Sequence, residues 1–476
     1  MSNTAKSLAS QRINSLLDEN SFVEIGGAIK ARNTDFNMSA AAAESDGVIT
    51  GYGVIDGGLV YVYSQDAGVL GGTVGEMHAR KITALYDMAM KMGAPIIGLV
   101  DCAGLRLQEA TDALNAFGEI YRKQVAASGV IPQITAVFGT CGGGMAVAAE
   151  LSDFVFMEGT KAKLFVNSPN ALGGNVAEKN DTASAAFQSQ AGNVDFTGTE
   201  EEVLSQIRAL VGLLPANNEE IAVEECEDDL NRVCTDLANA AGDTSILLSQ
   251  IADDNVFFET KADFAKEMVT GFLRLNGQTV GAVANRSEIY DAETGKSEET
   301  GTLLTPNGCE KAAAFVSFCD AFDLPVLTLT NATGFKACEC SEKRIARSAA
   351  KLTFAFADAT VPKVNVVIGK AYGNAFNVMN SKAAGADYTY AWSQAQIGMM
   401  DAKLAAKIMY AGEDGSVINE KAAEYAALQS SAAAAASRGY VDTIIEPEDT
   451  RKYVIGAFEM LYSKREDRPD KKHGTV

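Results

Sequence analysis

The sequence predicts an α/β protein made of two tandem copies of one domain. An internal repeat is the main reason, since one constant shift places Pro132 on Pro362 and residues 139–143 on residues 369–373. Strands alternate with helices in each copy, which is typical of βαβ units and a mostly parallel sheet. The chain of 476 residues is also long enough for two domains with separate cores.

Each copy is predicted to begin with a two-stranded hairpin. The turn is Asp56-Gly57 in the first copy and Asn276-Gly277 in the second, and both pairs favour a tight hairpin. A helix, a strand, a Gly-containing turn, a second helix and a second strand are predicted to follow. The clearest of these are the helices at 78–92 and 309–322 and the strands at 94–100, 131–137 and 324–330.

The boundary between the copies is predicted after residue 225. Residues 213–218 have the composition of a linker, and the acidic run 219–229 follows them. We therefore assign residues 1–225 to an N-terminal domain and residues 226–476 to a C-terminal domain. Near the end of the second copy, the alanine-rich segment 430–437 continues a helical pattern from residue 420 and is predicted to be a packed helix.

Composition excludes several classes of function. The formal net charge is −22, which disfavours binding to nucleic acid or to an anionic membrane through bulk electrostatics. No apolar run approaches the length of a membrane span, and residues 1–6 lack the apolar core of a signal peptide. The expected location is therefore cytoplasmic.

Metal and histidine chemistry are also disfavoured. The eight cysteines show no Cys-x-x-Cys spacing, and Cys338 and Cys340 are too close together for the usual zinc ribbon. We expect free, buried thiols and no metal site. The two histidines are His78, at the start of a predicted helix, and His473, in a polar tail. An enzyme with this sequence is expected to work without a histidine base.

The candidate active site is the segment 138–145. The apolar strand 131–137 leads into three consecutive glycines at 142–144, which open a helix of small residues. Such a turn exposes backbone N–H groups that can bind an anion or hold a developing oxyanion. Tight packing would explain one such turn equally well. Its repetition at residues 369–373 favours a functional role.

With both turns in place, the chain resembles the carboxyltransferase β subunits of biotin-dependent acyl-CoA carboxylases. It also resembles the carboxyltransferase subunits of sodium-pumping acyl-CoA decarboxylases, such as methylmalonyl-CoA decarboxylase. The resemblance runs almost end to end and rests on many short motifs together. These are DGVITGYG at 46–53, SQD at 64–66, GEMHARK at 75–81, SGVIPQI at 128–134, ATVPKV at 359–364, GKAYG at 369–373, RGYVD at 438–442, IEP at 445–447 and KKHG at 471–474.

The resemblance implies two tandem crotonase-like (ClpP/crotonase) β-β-α domains. It implies a dimer, with further assembly into a hexamer left open, in which the acyl-CoA lies on the first half and carboxybiotin on the second. The N–H groups of Gly143 and Gly144 would hold the thioester enolate, and those of Asn374 and Ala375 the urea oxygen of biotin. Because a nitrogen of biotin can move the substrate proton, no protein base is required.

The same resemblance implies a set of substrate-binding residues around the two turns. On the first half they are Ala103, Gly104, Leu105, Arg106, Gly142 and Phe165, and on the second half they are Gly334, Phe335, Tyr372, Gly373 and Asn377.

The implied activity is transfer of a carboxyl group between biotin and a short-chain acyl-CoA. The propionyl/methylmalonyl and acetyl/malonyl pairs fit best, and glutaconyl-CoA fits less well. The tetrapeptide 89–92 matches a biotin-attachment sequence, but Lys91 lies at the end of a predicted helix rather than on a hairpin. Biotin is therefore expected on a separate carrier protein. The partner is then a biotin carboxylase subunit, for carboxylation, or a membrane sodium-pumping subunit, for decarboxylation.

The chain also departs from the family pattern. Asn374 replaces the second glycine of the C-terminal turn, and Asn377 replaces an aspartate that lines the acyl pocket. Residues 102–106 replace a Gly-Gly-Ala-Arg turn, residues 336–344 replace a glycine-rich segment, and the loop 167–193 differs near the expected CoA site. These changes leave the fold inference intact, but they weaken the inference about substrate.

Two other interpretations remain open at this point. A crotonase-type hydratase, isomerase or hydrolase would need a carboxylate base, and Asp101 and Glu109 are the nearest candidates. We expect instead that Asp101 caps the end of a strand and that Glu109 is a solvated helix residue. The second interpretation is a non-catalytic assembly subunit, because of the changes at Asn374, Lys343 and Arg344.

Overall fold

The computed structural model describes residues 7–32, 45–291, 294–469, 471 and 474. The chain divides into two compact units, Met1–Ile221 and Ala222–Val476. The division falls within the predicted acidic linker, close to the expected boundary after residue 225. Residues 1–6 and His473 lie outside the described part of the chain.

The first unit contains one eight-stranded sheet with the strand order β1-β2-β3-β4-β5-β6-β8, in which β7 also pairs with β5. The strands are β1 Val23–Ile25, β2 Val48–Ile55, β3 Gly58–Gln65, β4 Ile96–Cys102, β5 Gln133–Gly142, β6 Phe154–Glu158, β7 Lys163–Phe165 and β8 Phe196–Gly198. The helices are α1 Leu8–Leu16, α2 Glu76–Met92, α3 Ala110–Ala127, α4 Gly144–Glu150, α5 Asn175–Glu178, α6 Ala185–Ala191 and α7 Glu200–Leu213.

The second unit repeats this sheet with the order β20-β18-β17-β15-β11-β10-β9, and β19 pairs with β17. Its strands are β9 Phe257–Thr260, β10 Met268–Leu275, β11 Gln278–Asn285, β12 Glu288–Asp291, β13 Lys296–Glu299, β14 Leu303–Leu304, β15 Val326–Ala332, β16 Gly334–Phe335, β17 Lys363–Tyr372, β18 Tyr388–Trp392, β19 Gln396–Gly398 and β20 Thr443–Ile445. Its helices are α8 Thr244–Ile251, α9 Pro306–Ala321, α10 Glu339–Glu342, α11 Ile345–Asp358, α12 Gly373–Val378, α13 Ala402–Met409, α14 Gly415–Tyr425, α15 Ala432–Ala436 and α16 Thr450–Leu461.

The two sheets match strand for strand, which confirms the predicted repeat and the α/β class. Each hairpin is antiparallel, and each following strand is added in parallel. Both hairpin turns have positive φ at their two central residues, with φ 49° and 83° at Asp56 and Gly57. Asn276 and Gly277 have φ 52° and 76°. A tight hairpin requires a positive φ at both central residues, and the pairs Asp-Gly and Asn-Gly adopt it readily.

The central strands of both sheets are buried on both faces. Every residue of β4 and β15 is buried except the aspartate or asparagine one position before the end. The continuous apolar sequence of these strands therefore reflects burial between layers of helices. Helices α2 and α3 lie against one another in the first unit, as α9 and α11 do in the second.

The structure corrects one element in the second unit. The helix predicted to run from residue 420 through 430–437 is interrupted, because α14 ends at Tyr425 and a π-helical turn occupies Ala426–Ser430. The hydroxyl of Ser431 then accepts the N–H of Ala434 and caps a new short helix, α15. Serine at this position thus starts a second helix instead of continuing the first. Within the described residues, no helix is both long and apolar enough to cross a membrane.

Candidate active site

The N-terminal glycine turn joins β5 to α4. Gly143 has φ +60°, a left-handed conformation that favours glycine, and it redirects the chain from the strand into the helix. Its N–H donates to the carbonyl oxygen of Phe165 over 2.9 Å, which extends the pairing of β5 with β7. The N–H of Gly143 is therefore already bonded inside the protein. This contact changes the expectation that Gly143 donates to a substrate oxyanion.

The next two N–H groups remain available for a ligand. Gly144 and Met145 occupy the first two positions of α4, where a helix has no internal acceptor for its N–H groups. No described residue accepts a hydrogen bond from either N–H. The repeat supports this shifted pair, because the alignment that places Gly143 on Gly373 also places Gly144 and Met145 on Asn374 and Ala375.

The C-terminal turn also has a glycine with a positive φ. Gly373 has φ +59° and opens α12, matching Gly143 to within one degree. The N–H groups of Asn374 and Ala375 likewise have no acceptor among the described residues. The Asn374 side chain is directed along the helix, where its Oδ1 accepts the Nδ2 of Asn377 over 3.4 Å.

Two cavities adjoin this second turn. The larger, about 910 Å³, is lined by Gly373, Asn374 and Asn377 together with α14 and the segment 438–440. The smaller, about 490 Å³, is lined by all of the residues expected on this half of the chain except Asn377. These residues are Gly334, Phe335, Tyr372, Gly373, Asn374 and Ala375. The hydroxyl of Tyr372 is held by the Oε1 of Gln396 at 2.5 Å, and burial raises the pKa of this tyrosine.

On the first half, the segment after β4 lies against the glycine turn. A Cβ atom on Gly104 would lie 3.4 Å from the carbonyl oxygen of Gly142, and one on Gly142 would lie 3.1 Å from the ring of Phe165. Hydrogen bonds fix the backbone of Ala103 and Gly104. The N–H of Ala103 donates to the carbonyl oxygen of Gly71 over 3.2 Å, and the N–H of Gly104 donates to the sulfur of Cys102 over 3.3 Å. Leu105 pairs with Val74. Phe165 also borders a cavity of about 550 Å³ under the loop 168–183.

The side chain of Arg106 faces the protein interior. It is 1% exposed and forms ion pairs with Asp46 and with Glu109, the latter at 2.8 Å. Its other terminal nitrogen donates to the carbonyl oxygen of Thr73 over 2.7 Å. The guanidinium is therefore withheld from a ligand at the turn. Glu109, which was expected to be solvated, is buried in this network, and that expectation was wrong because Arg106 and the N–H of Glu76 neutralise and bind it.

Asp101 has the strand-capping position expected for it. Its Oδ1 accepts the N–H of Thr140 over 3.3 Å, at the point where β5 approaches the glycine turn. In the second unit, Asn331 accepts the N–H of Lys370 over 3.0 Å at the equivalent position. Both side chains therefore hold the strand that carries a turn.

His78 is a structural residue. Its Nδ1 donates to the carbonyl oxygen of Asp46 over 2.9 Å, and its Nε2 lies 3.1 Å from the amide nitrogen of Gln65. That amide also contacts the sulfur of Met145 at 3.7 Å. Burial, reinforced by the charge of Arg106, lowers the pKa of His78 to about 3, so the imidazole is neutral near pH 7 and too weak a base to take a proton from a substrate.

This lowered pKa predicts a pH-dependent stability. Between pH 6.5 and 5 the unfolded chain protonates His78 and the folded chain does not, so the free energy of unfolding falls as the pH falls. We expect His78 to contribute a loss of about 2 kcal/mol over this range. Urea unfolding followed by circular dichroism at each pH should show the loss in the parent chain and a flatter profile in His78→Gln. Equal profiles for the two chains would contradict the assignment.

Tyr121 on α3 is a site residue that was not expected from the sequence. Its hydroxyl donates to the carbonyl oxygen of Gly144 over 2.7 Å. That carbonyl belongs to the same peptide group as the free N–H of Met145, so Tyr121 fixes the plane of a candidate donor. Burial raises the pKa of Tyr121 and keeps the hydroxyl protonated. The internal repeat does not indicate a role for Tyr121, because the equivalent position in the second copy is Lys351.

Comparison with known proteins identifies the family. The model of the carboxyl transferase domain matches residues 2–476. The propionyl-CoA carboxylase beta chain of Roseobacter denitrificans is 38% identical, over 99% of this chain and 94% of that protein. The methylmalonyl-CoA decarboxylase subunit alpha of Veillonella parvula is 37% identical, over 99% of this chain and 93% of its own length.

A solved structure extends the match to three dimensions. Transcarboxylase 12S, crystallised with methylmalonyl-coenzyme A and methylmalonic acid, superposes with a TM-score of 0.91 at 35% identity, covering 99% of this chain and 92% of that one. Its agreement over both units confirms the predicted architecture of two tandem crotonase-like domains. With a family model spanning almost every residue and relatives that match from end to end, the chain belongs to the carboxyl transferase family and is a carboxyltransferase.

Proposed function

We propose that this carboxyltransferase moves a carboxyl group between biotin on a separate carrier protein and a short-chain acyl-CoA. The observation that carries the proposal is the pair of equivalent turns, each presenting two neighbouring N–H groups that have no acceptor within the part of the chain that the structure describes. A hydratase of the same superfamily needs only one such turn. Two turns suit a reaction in which two different oxygens gain negative charge.

The first turn would bind the thioester oxygen of the acyl-CoA. Removal of the carboxyl group, or of a proton, leaves an enolate whose charge is on that oxygen. The N–H groups of Gly144 and Met145 would donate to it, beside Gly142, Phe165 and the segment Ala103–Leu105. Fixed donors contribute most where charge develops, roughly 3–4 kcal/mol for an important one. Gly143 contributes its backbone turn rather than its N–H.

The second turn fits the ureido group of biotin. Asn374 and Ala375 offer two N–H donors to one oxygen, and the adjoining cavity of about 490 Å³ is lined by Gly334, Phe335 and Tyr372. When bound, biotin supplies the nitrogen that carries the carboxyl group. The protein's part is to orient the ureido oxygen through Asn374 and Ala375. Asn377 lines the larger cavity. We assign it a role in selecting the acyl group because the family resemblance has an acyl-pocket residue at this position.

The relatives support propionyl/methylmalonyl-CoA as the substrate pair, with acetyl/malonyl-CoA as the alternative. Because one relative is named a carboxylase chain and another a decarboxylase subunit, direction is assigned to the partner proteins. These would be a biotin carboxyl carrier protein with a biotin carboxylase or a membrane sodium-pumping subunit. The transcarboxylase 12S relative is described as a hexamer, and we propose a homodimer or hexamer here. The cytoplasmic location expected from the sequence stays a prediction.

Free biotin provides the direct test. The purified chain is incubated with malonyl-, methylmalonyl- or glutaconyl-CoA, with and without biotin, and loss of the carboxyl group is followed. We expect decarboxylation of methylmalonyl-CoA that depends on biotin. The matched control is the same chain with each thioester and no biotin, which should lose no carboxyl group above the uncatalysed rate. Absence of biotin-dependent loss with every thioester, in folded protein and also with a biotinylated carrier, would contradict the proposal.

Removing the Tyr121 hydroxyl should slow this reaction modestly. Tyr121→Phe leaves the ring in place and removes the hydrogen bond to Gly144, worth about 1 kcal/mol. If that bond orients the Met145 N–H, kcat falls about fivefold while the KM for the thioester changes little. Tyr52→Phe, on the hairpin strand β2, serves as the control. A change in KM alone, or in neither constant, would remove Tyr121 from the positioning role.

A further inference from the structure

Cys338 and Cys340 form a close pair of thiols in the segment 336–344. Their Sγ atoms lie 2.8 Å apart. Residues two positions apart are separated by no more than about 7 Å, within the reach of a disulfide. Cys340 is exposed and Cys338 is half-buried, whereas most of the other thiols of the chain are buried. The expectation of buried thiols was therefore wrong for this pair and for Cys226, which is half-buried.

The surroundings of Cys338 favour its thiolate form. The thiol of Cys340, the N–H of Ser341 at 3.4 Å and the charge of Lys336 together lower the pKa of Cys338. A thiol with a lowered pKa and access to solvent is the nucleophile in thiol–disulfide exchange. The pair also borders a cavity of about 320 Å³, whose lining includes Lys336, Arg344 and residues 305–307. A small molecule can approach both sulfurs there.

The pair is close in sequence to the second turn. Cys338 follows β16, whose residues Gly334 and Phe335 line the cavity next to Asn374 and Ala375. β16 is paired with β14, and the N–H of Lys336 donates to the carbonyl oxygen of Leu304 over 2.9 Å. At the other end of the segment, Arg344 pairs with Glu310 of α9 at 2.8 Å. Because both ends are held, a new covalent bond inside the segment must be accommodated by the residues between them and by β16.

We propose that Cys338 and Cys340 are a reversible redox site that forms an internal disulfide and thereby alters the biotin-side turn. The oxidant is a small-molecule disulfide. The Cys338 thiolate attacks one of its sulfur atoms, breaking that S–S bond and releasing one thiolate. Cys340 then attacks Cys338, forming the internal bond and releasing the second thiolate. Two protein thiols are oxidised by two electrons and one disulfide is reduced to two thiols.

A disulfide closing so small a ring is expected to be easily reduced, which suits a reversible role. Its effect on turnover rests on the proposed function, but its formation does not. We expect oxidation to raise the KM for free biotin several-fold, because Phe335 and Gly334 lie next to Asn374 and Ala375. The KM for the thioester should change little, because the acyl-CoA is assigned to the other half of the chain.

Trypsin isolates the pair for a direct measurement. Cleavage after Lys336 and Lys343 releases residues 337–343, which contain both cysteines and no others. The full chain is treated with oxidised glutathione, alkylated, digested and analysed by mass spectrometry. We expect this peptide without alkylation and lighter by two hydrogen atoms, and fully alkylated after dithiothreitol. An alkylated peptide, or one carrying glutathione on both cysteines, would overturn the redox site whether or not the enzyme is active.

Single variants separate the disulfide from non-specific oxidation. Cys338→Ser should keep the KM for biotin of the reduced chain and lose its sensitivity to glutathione disulfide. Cys340→Ser should keep the same KM before oxidation, but it should then accumulate one glutathione on Cys338, because the second thiol that displaces it is missing. Cys226→Ser, which removes a partly exposed thiol elsewhere in the unit, should remain sensitive. Formation of the disulfide with an unchanged KM for biotin would overturn the coupling to the turn.

Discussion

Asn374→Pro is expected to reduce kcat of biotin-dependent decarboxylation by roughly 10²–10³-fold. The substitution removes the N–H that we assign to the ureido oxygen of biotin. Asn374 is exposed and occupies the second position of α12, in the first helical turn, where proline is tolerated. The change therefore removes a donor without removing a helix hydrogen bond. Steady-state kinetics with methylmalonyl-CoA and biotin measures the effect.

Asn374→Ala is the matched control, because it removes the side chain and keeps the N–H. It should retain kcat within a few-fold, and it should lower the KM for biotin if the asparagine side chain narrows the site. Equal turnover in folded Pro and Ala variants would remove the Asn374 N–H from the oxyanion site. Gly143→Pro is not a comparable test, because φ +60° at Gly143 is incompatible with proline and its N–H is bonded to Phe165.

Arg106→Met is expected to destabilise the first unit by about 3–5 kcal/mol. Removing the guanidinium leaves Asp46 and Glu109 buried without their common cation, and both are almost inaccessible to solvent. Burial already raises the pKa of Asp46 despite the charge of Arg106. Urea unfolding monitored by circular dichroism should show an earlier transition for the variant.

Two observations keep this test specific. Arg80→Met removes an exposed arginine of α2 that pairs with Glu76, and it should change stability by less than about 1 kcal/mol. Trp392, the single tryptophan of the chain, is buried in the second unit, so its fluorescence reports that unit separately. We expect the tryptophan transition to be unchanged in Arg106→Met. A variant as stable as the parent would show that the buried ion pairs do not hold the segment after β4.

Gly144 of the first turn is replaced by Asn374 in the second turn, and the contacts around the two positions explain this difference. A Cβ atom on Gly144 would lie 2.9 Å from the hydroxyl of Tyr121 and 3.2 Å from the ring of Phe117. Glycine is therefore required in the first turn. The position equivalent to Tyr121 is Lys351, which extends to Glu310, and the second turn has room for the side chain of Asn374. The side chains next to Asn374 therefore allow a residue larger than glycine at this position. The φ angle of the preceding glycine is kept, at 60° for Gly143 and 59° for Gly373.

The sequence by itself determined the architecture and the position of both turns. Hairpin pairs such as Asn276-Gly277, buried apolar strands and a glycine-rich turn are local signals, because each depends on backbone preferences or burial within a few residues. Repetition made these signals specific.

Only the tertiary structure decided which N–H groups are free and which side chains support them. The bond from Gly143 to Phe165 forms because β7 pairs beside β5. Likewise, Tyr121 reaches Gly144 and Arg106 turns toward Asp46 through contacts between residues far apart in the chain. Hydrogen bonds of this kind depend on distances and angles that folding alone sets, and no local pattern of residues encodes them.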